Sequence, residues 1–226
     1  MAPKQLRIAL IIDPPGGTPL EPECKKAAVA AAKLCESLGH RVEEQKLPIE
    51  HEVFFEAILN LIKVSTARTL ADAARSLGRE VTEEDVEYVT WVMSHQGHNV
   101  DAITYSRAIL TAHQIGLEMA RFQENYDLIL SPTLAKPPVP LGVLSLSPAR
   151  IQDFIREITE FSPYPALYNV TGQPSMSVPL HWTPDGLPVG VMFSGRFGDE
   201  ATLLRLAAQL EQANPWAGRK PVISTI

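Results

Sequence analysis

The sequence predicts an α/β fold in which strands of one sheet are separated by a long helical insertion. Three observations lead to this prediction: a strand, helix, strand pattern over residues 6–49, a helical pattern between about 50 and 126, and a hairpin pattern over residues 175–194. The 226 residues are 45% hydrophobic, enough to bury a sizeable core. No internal repeat, low-complexity tract or flexible linker divides the chain. We therefore expect one domain over residues 1–226.

The N-terminal pattern predicts two parallel strands joined by a helix. Leu6–Ile12 is a short, continuous apolar run typical of a buried strand. From Glu21 to Leu38 apolar residues recur every three or four positions, and Gly39 follows where a helix C-cap favours positive φ. Residues 40–49, "HRVEEQKLPI", predict a second strand. A strand, helix, strand unit of this kind implies a right-handed parallel crossover.

The helical insertion contains three predicted helices. The first follows residue 51 in "EVFFEAILNLIKVSTARTLADAARSLG". Thr82 with Asp85 then has the spacing of a capping box and predicts that a helix begins there. Asp101 precedes a long helical pattern that runs toward Tyr126, so we expect it to be the N-cap of the third helix.

The last hundred residues return to strands. Leu128–Leu130 is a strand pattern, "AKPPVPLG" predicts an extended loop, and Ser147 with Pro148 predicts the start of a helix that reaches about Phe161. "SMSVPL" and "PVGVMFS" flank the turn residues Pro184-Asp185-Gly186 and predict a hairpin. Asp199 precedes a final amphipathic helix.

Charge and cysteine content exclude several classes of function. With 20 Lys and Arg against 26 Asp and Glu, the net charge of -6 offers no broad positive surface to nucleic acid or to an anionic membrane. No apolar run is long enough to span a bilayer, and the N-terminus has no convincing secretory signal, so we expect a cytoplasmic protein. Cys24 and Cys35 would lie about 16 Å apart on a helix, which forbids a disulfide. We interpret both as core residues in a reducing compartment.

Three stretches, "YDLILSPTLAKPPVPLG", "YNVTGQPSMSVPL" and "GLPVGVMFSGRFGDEATLLRLAAQLE", follow one another in the C-terminal part, and "LRIALIID" precedes them near the N-terminus. Together they resemble the C-terminal half of the amidase signature family, and "LRIALIID" is similar to the start of that family's second half. The resemblance covers nearly the whole chain, and residues 50–120 are its least diagnostic part. It implies a mixed, twisted sheet with helices on both faces. It also implies relationship to amide hydrolases, some ester hydrolases and the A subunit of the glutamyl-tRNA amidotransferase.

The resemblance implies that the reacting groups of such an enzyme lie elsewhere. The family uses a nucleophilic Ser, a bridging Ser and a Lys, all carried by motifs of its first half. Gly16-Gly17 is the only Gly-Gly pair here, no Ser-Ser pair occurs, and no Lys is followed by Asp. We therefore predict no catalytic residue, no cofactor and no metal site in this chain, and no activity of the chain alone. The expected partner is a first-half polypeptide or a second copy, and a small amide or ester would bind only to the complete enzyme.

The resemblance also implies which residues face a substrate. Phe161, Tyr168, Asn169 and Thr171 belong to the segment that lies close to the family's catalytic core, so we expect them to help wall the substrate pocket. The alternative is that these four residues only support a tight turn and pack against a strand end.

Two other functions stay open. One is a non-enzymatic binding or oligomerisation domain derived from an amidase, which would pair through the exposed flank of its sheet. The other is an independent esterase or amidase built from Ser175 or Ser177 with His181. Ser131 and Ser194 also lie beside strands, but none of the four serines occurs in a G-x-S-x-G motif.

Two further motifs favour structural interpretations. His95 and His98, near Asp101, have a spacing that could hold a metal ion, but Gly97 indicates that a helix ends there, and a solvated helix terminus is the preferred interpretation. "DPPGGT" after the first strand lacks a phosphate-binding pattern and predicts a crossover turn.

Overall fold

A computed structural model describes residues 3–147 and 151–219, and in this part of the chain five strands form one sheet in the order β2-β1-β3-β5-β4. The strands are β1 (Arg7–Leu10), β2 (Arg41–Glu44), β3 (Leu128–Pro132), β4 (Ser175–Trp182) and β5 (Pro188–Gly195). β1 pairs in parallel with β2 and with β3, whereas β5 pairs antiparallel with β3 and with β4. The predicted mixed sheet is confirmed.

Seven α-helices accompany the sheet in the described residues. They are α1 (Pro22–Ser37), α2 (His51–Leu77), α3 (Tyr88–Gly97), α4 (Ala102–Phe122), α5 (Ile151–Phe161), α6 (Pro165–Thr171) and α7 (Glu200–Ala213). No helix among these is long and apolar enough to cross a membrane.

Apolar side chains cover both faces of the sheet. Alternate residues of a strand point to opposite faces, so Leu128 and Leu130 contribute to one core while Ile129 contributes to the other. The first core contains the buried faces of α1 and α7, including Leu206. The second contains residues of α2, α4 and α6, including Met119. Helices therefore lie on both faces, as the family resemblance implied.

The N-terminal unit follows the predicted pattern. α1 connects the parallel strands β1 and β2, and Gly39 adopts φ +91° just after the helix, the conformation that its position predicted. Ala27, Ala28 and Ala31 are almost fully buried, so the helix backbone packs close to the sheet. β2 ends at Glu44, earlier than the predicted strand, and the following residues form an irregular connection to α2.

One helix start in the insertion differs from its prediction. Asp101 caps α4 as predicted, since its carboxylate accepts a hydrogen bond from the Thr104 N–H at 2.7 Å. Thr82 and Asp85 do form a capping box, but it opens only a short 3-10 turn, Glu83–Asp85. Val86 is extended, with φ -140°, and this interrupts the helical path so that α3 begins at Tyr88.

The C-terminal part contains the predicted hairpin and one helix that the sequence did not predict. β4 and β5 are antiparallel, and the turn closes with a hydrogen bond from the Gly186 N–H to the Thr183 carbonyl. α5 ends at Phe161 as predicted, while Pro148, its predicted first residue, lies outside the described residues. α6 occupies a segment rich in turn-forming residues, where Pro165 takes the first helical position.

Both cysteines are buried and free, which confirms that they form no disulfide. Burial raises the pKa of the Cys24 thiol to about 11 and that of Cys35 to about 12, with a smaller contribution from nearby glutamates. The thiols are therefore protonated members of the core around α1.

Candidate functional site

An apolar groove of about 310 Å³ lies between α2, α3, α5 and α6. Aromatic and aliphatic side chains form most of its wall, among them Phe55, Ile58, Met93, Phe154 and Ile158. Its polar groups are few: His51, Thr159, Ser162 and Asn169. A concave, mainly apolar surface with a small number of polar groups is typical of a site for a small organic ligand.

The residues that join α5 to α6 attach this groove to the carboxyl edge of the sheet. The Tyr164 hydroxyl donates a hydrogen bond to the carbonyl of Ile12, just beyond β1, at 2.7 Å. The Ala135 N–H, just beyond β3, donates to the carbonyl of Phe161 at 3.0 Å. From β1 the chain crosses to β2 on one side of β1, and it later enters β3 on the other side. The carboxyl ends of β1 and β3 therefore lie at the point where the strand order reverses. Ligands of open α/β sheets bind at such a point.

An ion pair attaches α5, which contributes to one wall of the groove, to the loop after β3. Lys136 Nζ lies 2.8 Å from Glu160 Oε2 and thereby joins the loop after β3 to the last turn of α5. The hydrogen bond from Lys136, together with its charge, holds the pKa of the Glu160 carboxyl below its ordinary value. The carboxylate is thus ionised at neutral pH and committed to this contact.

His51 connects the groove to a second cavity. This cavity, about 420 Å³, is lined by residues 13–18 after β1, by the connection from β2 to α2, and by His51 at the start of α2. The imidazole stacks on Phe55, with ring centroids 5.8 Å apart and an angle of 22° between the planes. Burial lowers the pKa of His51, and the charge of Glu52 offsets only part of this effect. We therefore assign a neutral imidazole at neutral pH.

The four predicted substrate-binding residues lie in different environments. Asn169 is exposed and lines the groove. Thr171 lines a separate depression of about 730 Å³ and donates a hydrogen bond to Gln173 Oε1 at 2.8 Å. Tyr168 is buried, which raises its pKa to about 12 although a hydrogen bond with Ser194 acts in the opposite direction. Phe161 is half-buried at the end of α5.

Of these four residues only Asn169 lines the groove. A substrate-binding role for it and for the other three residues stays a prediction. His51 was not among the predicted site residues, although a histidine that follows a strand and opens a helix lies at the carboxyl edge of a parallel sheet. That position was the available signal.

The structure does not bring a serine together with His181. Ser175 Oγ lies 2.7 Å from Ser194 Oγ, and Ser177 Oγ lies 2.7 Å from Thr133 Oγ1. Ser177 pairs with Met192, which belongs to the core around α4 and α6. His181 instead contacts Glu23 of α1, at 3.0 Å, on the opposite face of the sheet.

Ser131 likewise has no imidazole as partner, because its hydroxyl donates to the Pro132 carbonyl. The arrangement that a nucleophilic serine requires, a base within hydrogen-bond reach, is therefore not formed by any of these serines.

The histidines of the insertion occupy the end of α3. His95 Nδ1 lies 3.0 Å from the Trp91 carbonyl, and its ring packs on that of Trp91. His98 is the C-cap residue, and Asp101 uses its carboxylate to cap α4. Within residues 3–147 and 151–219 no group of three or more His, Cys, Asp and Glu side chains could hold a metal ion.

Comparisons with known proteins agree with this architecture. The family model described as Amidase matches residues 1–204. The chain is 30% identical over 227 residues to 6-aminohexanoate-cyclic-dimer hydrolase of Paenarthrobacter ureafaciens, and this alignment covers 97% of this chain and 46% of that protein. It is 32% identical over 197 residues to putative amidase AmiC of Mycobacterium leprae, and that alignment covers 87% of this chain and 41% of the relative.

A solved structure of 6-aminohexanoate cyclic dimer hydrolase complexed with substrate superposes with a TM-score of 0.89 at 30% identity. The match covers 98% of this chain and 48% of that one. The chain thus spans about half the length of the relatives it matches. Since the family model matches most of its residues, the chain belongs to the amidase signature family.

Proposed function

We propose that this chain is the C-terminal portion of an amide-bond hydrolase and that it forms part of the substrate pocket. The observation that carries the proposal is the apolar groove at the carboxyl edge of the sheet, bordered by His51 and Asn169. Such a groove suits the apolar part of a small amide or ester. The names of the relatives, hydrolases and amidases, support the same reaction class.

The reaction itself needs groups that we assign to another portion of the enzyme. Acyl transfer requires an activated nucleophile, a base and donors for the oxyanion. In this chain Ser175 and Ser177 bond to other hydroxyls, and His181 is paired with Glu23. The chain has no Ser-Ser pair and no Lys followed by Asp, which supports the assignment of the reacting groups to another portion. We infer that the chain alone is inactive.

A reconstitution experiment tests the proposal. The purified chain is incubated with the cyclic dimer of 6-aminohexanoate, aryl amides and aryl esters, first alone and then after co-expression with the complementary half of the Paenarthrobacter hydrolase. We expect turnover only in the co-expressed complex. Hydrolysis by the chain alone that disappears in Ser175→Ala or Ser177→Ala would contradict the proposal and would favour an independent esterase.

A second arm of the experiment tests the role of the groove. Ala166 lines the groove, so Ala166→Phe should reduce turnover of hexanoyl amides more than that of acetyl amides. Ala120 lines the depression beside Thr171, and Ala120→Phe is the matched control. Equal effects of the two variants on both substrates would show that the groove does not bind the acyl chain.

We further propose that the partner is the complementary portion of the enzyme or a second copy of this chain, and that the complex acts in the cytoplasm. Two buried, protonated cysteines are consistent with a reducing compartment. Sedimentation of the chain alone and of the co-expressed complex measures which association occurs.

A further inference from the structure

A line of large aliphatic side chains lies on the solvent face of α4. Ile103, Leu110 and Leu117 follow one another at intervals of seven residues, and their exposed fractions range from 52% to 66%. Seven residues make nearly two helical turns, so the three side chains form one stripe about 21 Å long. The opposite face of the helix carries buried residues such as Ile115 and Met119. α4 is thus apolar on both faces, whereas a surface helix normally has a polar solvent face.

The position of α4 in the fold indicates that another molecule covers this stripe. α4 belongs to the helices on one face of the sheet, and its inner side packs in the core that contains Met119. A longer chain would add strands at the edges of the sheet and helices within the existing layers. Such additions would lie beside α4, whereas the stripe points outward, away from the sheet.

We propose that the stripe is a contact between two copies of this chain, in which the α4 helices pack antiparallel about a two-fold axis at Leu110. The stripe is self-complementary in this arrangement. Leu110 meets Leu110 of the second copy, and Ile103 meets Leu117 on either side of the axis. A two-fold interface requires a self-complementary surface of this kind.

Charges beside the stripe favour the antiparallel direction. Asp101 lies at the N-terminal end of α4 and Arg121 near its C-terminal end, and both are exposed. Antiparallel packing places these opposite charges near each other at both ends, and Arg107 then faces the uncharged Gln114. Parallel packing would place Arg107 beside Arg107 and Arg121 beside Arg121, and such like-charge pairs oppose that direction.

The contact surface continues beyond the stripe. Gly116 and Ala120 adjoin Leu117 and line the depression of about 730 Å³, which Phe197, 80% exposed, also lines. Three aliphatic layers alone bury less than the roughly 800 Å² per partner of a standard interface. We therefore expect the second copy to cover this depression as well, and the dimer to depend on protein concentration.

Sedimentation of the whole chain over a range of concentrations tests the inference. We expect an equilibrium of monomer and dimer, and Leu110→Glu should weaken it by about tenfold or more, because both copies lose the central apolar contact. Leu204→Glu, at an exposed leucine of α7, is the matched control and should leave it unchanged. Leu and Glu have similar helix propensities, so both variants should fold, which thermal unfolding checks. A chain that stays monomeric, or a dimer that Leu110→Glu leaves intact, would overturn the inference.

Cysteine cross-linking tests the register of the two helices. The native cysteines are buried, so an introduced surface thiol reacts in their place. Leu110→Cys should give a disulfide-linked dimer on oxidation, because the two-fold axis brings the two positions together. Ile103→Cys and Leu117→Cys should cross-link poorly alone and readily when mixed. Equal cross-linking of each variant alone would indicate a parallel contact, and cross-linking no greater than that of Leu204→Cys would exclude the contact; both results would overturn the inference.

The inference concerns assembly and fails separately from the proposed function. A dimer that Leu110→Glu dissociates, in a protein whose co-expressed complex hydrolyses no amide, would leave the interface and remove the hydrolase. If the chain alone is monomeric and Leu110→Glu prevents association with the complementary half, the stripe binds that half. That result would overturn the inference and leave the hydrolase.

Discussion

The imidazole of His51 packs on the backbone of Gly16 so closely that a Cβ atom on Gly16 would lie 2.5 Å from His51 Nε2. Gly16 also has φ +75°, a conformation that residues with a side chain rarely adopt. The loop after β1 and the start of α2 therefore pack closely against each other at this contact.

Gly16→Ala should destabilise the protein more than Gly17→Ala. Both glycines have positive φ, but a Cβ atom at Gly17 would meet nothing within 4 Å. Gly17→Ala therefore adds only backbone strain, of about 1–2 kcal/mol, whereas Gly16→Ala adds the collision with His51, about 1 kcal/mol or more. Denaturant unfolding of both variants measures the difference. In a His51→Ala background Gly16→Ala and Gly17→Ala should lower the free energy of unfolding by similar amounts. If the difference between them persists there, the contact with His51 is not its cause.

This contact shows where prediction from the sequence stops. "DPPGGT" correctly predicted a turn after the first strand, because proline and glycine restrict or permit local backbone angles. Nothing local in the sequence places residue 16 against residue 51, since that contact depends on how α2 packs on the sheet.

The same distinction explains the other differences between prediction and structure. Thr82 and Asp85 form the predicted capping box, but no α-helix follows it directly because the backbone of Val86 is extended. α6 was missed because Pro163, Pro165 and Gly172 indicate turns, whereas burial of Leu167 and Tyr168 in the core stabilises a short helix between them. Strands and long amphipathic helices were predictable because their hydrophobic periodicity is local.

Gly97→Ala should be strongly destabilising, and Gly116→Ala should be stabilising, although both glycines are helical. A Cβ atom at Gly97 would lie 2.2 Å from the Lys63 carbonyl oxygen of α2, and a backbone atom cannot move aside cheaply. We expect a loss of about 1–3 kcal/mol. At Gly116 a Cβ atom meets nothing within 4 Å, so a gain of about 0.5–1 kcal/mol should follow from the higher helix propensity of alanine. Urea unfolding of both variants measures the free energies, and losses of equal size would contradict the close packing of α2 and α3.

Asp85 should make stability depend on acid pH. Arg79 contacts both carboxylate oxygens at 2.7 Å, and the Thr82 N–H and hydroxyl add two hydrogen bonds, so the folded-state pKa of Asp85 lies well below its ordinary value of 3.8. Because the pKa of Asp85 is lower in the folded than in the unfolded protein, its ion pair contributes fully to the free energy of unfolding above the pKa of the unfolded state. This contribution is lost as the pH falls toward the pKa of the folded state.

The stability difference between wild type and Asp85→Asn should therefore be constant near neutral pH and shrink below about pH 4. Denaturant unfolding at a series of pH values measures this difference. Glu80→Gln, at an exposed position beside Arg79, is the control and should not reproduce the pH dependence. A difference between wild type and Asp85→Asn that does not change with pH would mean that the ion pair is not formed in solution.

The two cysteines should react only in the unfolded protein. Burial raises the pKa of Cys24 to about 11 and of Cys35 to about 12, so almost no thiolate is present in the native state at about pH 8. Native protein should give a negligible reaction with an aromatic disulfide reagent, and both thiols should react after addition of denaturant. Rapid labelling of one cysteine in the native protein would show that α1 opens locally.

Asn169→Ala and Tyr168→Phe change neighbouring positions of α6 and should distinguish a role in substrate binding from a role in packing. Asn169 is exposed in the groove, so its replacement should change stability by less than about 0.5 kcal/mol but raise the KM of the reconstituted hydrolase. The hydroxyl of Tyr168 is paired with Ser194 in the core, so its loss should cost about 1 kcal/mol of stability, and a rise in KM beside this loss would show that Tyr168 also borders the substrate. Unfolding and steady-state kinetics on the same preparations measure both quantities. If Asn169→Ala lowers stability and leaves KM unaltered, the residue serves packing, and the alternative interpretation of this segment holds.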